Sequence, residues 1–128
     1  MRWNQLAEDL PRAMALAEVL CGAACADSSF DESERVIVGA MLMKVLGTTE
    51  LPPEIVSQLA TFDADKLNLV DAVARLGLDG DRDKKSLVKV VAEIVKADDK
   101  IDKAERGYLS RLAKALGFSV AEAKALLD

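Results

Sequence analysis

The chain has 128 residues, of which 51% are apolar and 30% charged, enough for a single folded domain over 1–128 and too apolar for disorder. A net charge of −5, with no basic stripe, argues against nucleic acid or an anionic membrane surface as partner. The absence of any His excludes His general acid–base chemistry, Ser-His-Asp and Cys-His nucleophiles, and His-containing zinc sites.

The first predicted helix runs from about Asn4 or Asp9 to Ala26, with Pro11 tolerated near its start or marking a break. Over 13–26 its only charge is Glu18. Cys21 and Cys25, four residues apart, share a face and read as small core residues. Two thiols fall short of the four ligands that zinc requires, and with no secretory signal they suit a reducing cytoplasm. A second helix spans 32–46 and is closed by Gly47. It is uncharged from 36 to 43, so both helices are expected to be buried all round, at the centre of the fold. Met14, Met41 and Met43 read as core side chains.

Short helices follow over 53–61 and 64–77, the latter ended by Gly77, and DGDRD (79–83) reads as a solvated connector that caps the next helix. That helix, 82–97, carries Leu87, Val90, Val91, Ile94 and Val95 on one face. Another, 103–116, has a stripe of Leu109, Leu112, Ala113 and Leu116. Ser119 and Glu122 have the spacing of a capping box and open a last helix to Leu127. No stretch sustains strand-like alternation. The expected fold is all-α, a bundle of about seven helices built from two related hairpins, 13–47 and 82–117. Its uncharged runs fall well short of the ~20 residues of a membrane span, so the chain is not expected to be an integral membrane protein.

The relation between the hairpins is written in one phrase. ADSSFDESER (26–35) and ADDKIDKAER (97–106) agree in kind at six positions, at a constant offset of 71 residues. Asp31 with Glu34, and Asp102 with Glu105, form acidic capping boxes, with Phe30 and Ile101 placed as hydrophobic staples. Asp27 and Asp98 are not explained by capping. They fall at a helix C-terminus, where the dipole disfavours a carboxylate, and each calls for a cation. Arg35 and Arg106 could supply it internally. The other candidate is a metal ion.

If the hairpins pack as related halves, Asp27, Asp31, Glu34, Asp98, Asp102 and Glu105 converge. Two carboxylates ~6 Å apart repel by about 2–3 kcal/mol at an effective dielectric near 20. An all-oxygen donor set suits a hard cation, Ca²⁺ or Mg²⁺. The pattern is not an EF-hand: the Gly and Glu that such a loop needs are replaced by Glu32 and Val38 in the first copy, and by Lys103 and Leu109 in the second.

The stretch VAEIVKADDKIDKAERGYLSRLAKALGFS (91–119), supported by ALAEVLCGAACADSSFDESERVIVGAMLMKVLG (15–47), resembles the tellurite-resistance TerB family. The resemblance implies a bacterial all-α bundle with a cytoplasmic or envelope-associated stress-response role and an acidic metal-binding surface. TerB-like domains also occur in membrane-anchored J-domain co-chaperones, as interaction modules. By position the family's acids are Asp27, Asp31, Glu34, Asp98, Asp102 and Glu105. The Gly that usually follows the first Asp is replaced by Ser28 and Asp99. The expected function is non-enzymatic: a cation-binding stress protein, or a scaffold for a protein partner in which the repeated acids only cap helices. With no phosphate loop or nucleophile partner visible, paired carboxylates alone make a weak case for an enzyme.

Overall fold

The computed structural model describes residues 3–25, 32–78, 80–95, 103–119, 121–122 and 125. Among them there is no strand, and the α-helices are α1 (Leu10–Ala24), α2 (Glu32–Leu46), α3 (Pro53–Thr61), α4 (Leu69–Leu76), α5 (Gly80–Val95) and α6 (Lys103–Ala115). Short 3-10 helices cover Trp3–Glu8 and Ala64–Lys66. The all-α expectation holds with six described helices rather than seven. Of the predicted last helix only Ala121, Glu122 and Ala125 are described, all three helical.

Local chemistry sets the boundaries. Asp9 caps α1, accepting from the Arg12 amide at 3.4 Å, and Pro11 occupies the first turn, where a missing N–H costs no helical bond. The later of the two predicted starts is therefore the real one, and the residues before it form the 3-10 helix. The predicted helix over 64–77 begins only at Leu69, because the Asn68 side chain accepts from the Asp71 amide at 3.0 Å. It ends at Gly77 in a left-handed conformation, φ 61°. DGDRD is less of a connector than expected. α5 takes in Gly80 to Asp83, and Asp81 and Asp83 lie in its first turn, where the dipole favours acids.

α1 is the hub. Ala13, Ala15, Leu16, Ala17, Val19, Leu20, Cys21, Gly22 and Ala23 are all buried. It packs most extensively on α4, and also against α2, α3, α5, α6 and the first 3-10 helix. Small residues allow that many neighbours, since they let other backbones approach from every side. Around it α2 contributes Val38, Leu42 and Leu46, α3 Ile55 and Leu59, and α4 Ala72 and Leu76. From α5 come Leu87, Val88, Val91 and Ile94, and from α6 Tyr108, Leu109, Leu112 and Ala113. The core is a single cluster, with Met14 and Met41 packed against its edge.

The second expected central helix is not central. In α2, Val36 is 65% and Ile37 41% exposed, and Ala40 is exposed too. The uncharged run 36–43 is thus buried on one side only. The arrangement is one helix wrapped by the others rather than a central pair of helices.

Candidate functional site

Most of the acidic set predicted to bind a cation lies outside the described residues: Asp27, Asp31, Asp98 and Asp102 all do. Glu105 lies in α6, and its side chain too is outside the description. Glu34 stands half-buried in the first turn of α2, with Glu32 beside it, where two acids favour the positive helix end. Among the described residues no three acidic or thiol groups gather as a metal site would require. Both repeated segments nevertheless join helices that pack on α1, since α2, α5 and α6 all touch it. If these carboxylates meet, a donor set of oxygens alone suits a hard cation such as Ca²⁺ or Mg²⁺.

The capping box predicted at the far end is present. The Ser119 amide donates to Glu122 Oε1 and the Glu122 amide donates to Ser119 Oγ, both at 3.1 Å. These bonds from Ser119 hold the Glu122 carboxyl below its usual range, with a smaller contribution from Lys85.

A cleft of about 660 Å³ is formed where three separated segments meet. The last turn of α1 gives Gly22 and Cys25, the entry to α4 gives Leu67, Asn68, Leu69 and Val70, and α6 gives Tyr108, Arg111, Lys114 and Ala115. Its floor is set by a close approach. A Cβ on Gly22 would stand 2.6 Å from both Leu67 Cδ2 and the Tyr108 hydroxyl oxygen. Only glycine lets that hydroxyl reach the backbone of α1, where it donates to the Val19 carbonyl at 2.6 Å. Burial raises the Tyr108 hydroxyl well above its ordinary value, against the opposing pull of Arg111. Burial likewise pushes the Cys21 thiol up to about 12, helped by Cys25 and Glu18 and opposed by Arg35. Cys21 is therefore an inert core thiol, as expected. Cys25 is only half-buried and lines the cleft, so the expectation of a core residue fails for it.

Sequence reasoning missed this cleft. Its one signal is the spacing of Tyr108, Arg111 and Ala115 at i, i+3 and i+7, which places an aromatic ring and a cation on one face of α6. The Arg111 guanidinium lies 5.8 Å from the centre of the Tyr108 ring, within cation–π range. A smaller hollow of about 190 Å³ lies on the other side of Leu67, among Glu18, Gln58, Thr61, Phe62, Asp63 and Lys66. Gln58 ties it to α1 by donating to the Met14 carbonyl at 2.9 Å.

No described helix is long and apolar enough to cross a membrane. Searches of curated proteins and of solved structures return no match. A family profile does match: that of tellurite resistance protein TerB covers residues 13–127, taking in both acidic decapeptides and every helix from α2 to α6. An all-α chain with this repeat, matched over nearly its full length, belongs to the TerB family.

Proposed function

We propose that the protein is a non-enzymatic, cytoplasmic stress-response protein of the tellurite-resistance kind, whose repeated acidic segments bind one divalent cation, Ca²⁺ or Mg²⁺. The observation that carries the reading is the repeat itself. Asp27 and Asp98 recur at a constant offset, each following a predicted helix, where a carboxylate would be disfavoured by the dipole. Capping would account for Asp31, Glu34, Asp102 and Glu105 but would leave that pair unexplained. A cation would neutralise both and draw on the remaining oxygens of the capping acids.

A thermal-shift titration with Ca²⁺, Mg²⁺ and Mn²⁺ tests it. A ligand at 100 times its Kd stabilises the native state by about 2.7 kcal/mol. The melting temperature is expected to rise with Ca²⁺ or Mg²⁺ and not to rise in the Asp98→Asn/Asp102→Asn variant. An unchanged melting temperature at millimolar concentrations of all three metals rejects the reading.

A second reading, an interaction module whose acids only cap helices, is favoured by a different observation. Val36 and Ile37 on α2 are 65% and 41% exposed, an adjacent apolar pair that a partner could cover. On that reading Val36→Ser/Ile37→Ser abolishes capture of a protein partner at little cost in stability, and metal ions leave the melt unchanged. Partners captured equally by wild type and variant reject it.

A further inference from the structure

We infer that the cleft between α1, α4 and α6 is a binding site for a small anionic amphiphile: a carboxylate or similar head on an apolar tail. The inference is independent of the proposed cation site and uses none of its residues. Three observations carry it.

The first is sign. The chain as a whole carries −5, yet the described residues lining this cleft include two cations, Arg111 and Lys114, and no acid. A local reversal of charge at a concave surface concentrates anions there. The N-terminal end of α4 also borders the cleft, but Asn68 caps it and Asp71 lies in its first turn, so the positive potential rests on the two side chains. The second is order. Arg111 is held over the Tyr108 ring, and that ring is fixed in turn by the hydroxyl bond to Val19. Contact with a fixed ring favours one position of this exposed guanidinium, which lowers the cost of ordering it on binding. The third is the apolar part. Leu67, Leu69 and Val70 line the same hollow as the cations, and Val70 is 65% exposed. A head held by the guanidinium and ammonium would lay its tail on these side chains.

Size separates a small molecule from a peptide. The cleft lies within the ~300–1,000 Å³ usual for small-ligand sites. Its α6 wall, Tyr108 to Ala115, is about 10 Å long at helical rise, short for a docked helix of several turns.

The test compares three probes on the whole chain by two-dimensional NMR: decanoate, decyltrimethylammonium and acetate. Decanoate is expected to give saturable shifts at the Leu67, Leu69 and Val70 methyls and the Gly22 amide. Decyltrimethylammonium, with the same tail and the opposite charge, should bind at least about tenfold more weakly, and acetate, with no tail, should not saturate. Arg111→Gln/Lys114→Gln changes two exposed side chains, so its melting temperature should match wild type while decanoate affinity falls about tenfold or more. Equal affinity for both decyl probes overturns the inference, as does unchanged decanoate affinity in the double variant. So does a decanoate response centred on Val36 and Ile37 instead of the cleft. Saturable binding there of an acidic amphipathic peptide, with decanoate failing to bind, overturns it in favour of a protein partner.

Discussion

At the scale of single residues, two helical glycines on different sites make opposite predictions. Gly22→Ala places a methyl where Leu67 and the Tyr108 hydroxyl already stand, 2.6 Å away. Overpacking of this kind costs about 1–3 kcal/mol, more than the propensity alanine gains, so urea unfolding should show a net loss. Gly107→Ala meets nothing within 4 Å on the exposed side of α6, and the same experiment should show a gain of about 0.5–1 kcal/mol. Tyr108 and Cys21 supply a pH prediction. Both ionise less readily in the folded protein than unfolded, from ordinary values of 10.0 and 9.0. Their neutral forms therefore add stability that is complete below about pH 9 and is lost as pH climbs from there through the raised folded values. Equilibrium unfolding followed from about pH 8 to pH 11 should show this decline, and Tyr108→Phe/Cys21→Ala should flatten it. At neutral pH Tyr108→Phe alone should cost about 1 kcal/mol for the bond to Val19.

At the scale of elements, α4 is the instructive case. Eight residues make a helix that is not stable by itself in water, so its ends must be tied. Asn68 closes one end, while at the other Arg12 Nε donates to the Leu76 carbonyl at 2.8 Å and Gly77 completes the turn. Asn68→Ala should cost about 1 kcal/mol and speed hydrogen exchange at the Asp71 amide. Arg75, which pairs with Glu18 and Asp71, is 41% exposed, and Arg75→Ala should cost no more than ~1 kcal/mol by the same unfolding assay. Such termini are legible in a sequence because their chemistry is local: Asp9, Gly77, Ser119 and Glu122 did what their types and spacing imply. The placement of α2 was not legible. Absence of charge from 36 to 43 matches burial on every side as well as burial on one, and only the neighbours decide between them. α1 was legible because Glu18 is its only charge from 13 to 26, and a helix with one charge in fourteen residues has little to offer solvent. The repeated acids could be seen as a pattern. The cleft could not, since its walls come from residues 22–25, 67–70 and 108–115, which share no motif and meet only on folding.

At the scale of the whole molecule, α1 touches each of the other five described α-helices, and the described core is one cluster rather than two. Loss of any outer helix therefore uncovers part of the same interior, and unfolding should be a single cooperative transition when far-UV circular dichroism and Tyr108-sensitive near-UV signals are compared. Two transitions would instead indicate halves that hold together independently. The position of α1 in the chain has its own consequence. It precedes every described α-helix that covers it, and the last of these, α6, begins at Lys103. During synthesis the most apolar segment emerges first and waits for some eighty residues of wrapping, so that a nascent chain stalled before α6 presents a sticky, half-clothed hub to chaperones and to its neighbours on the polysome.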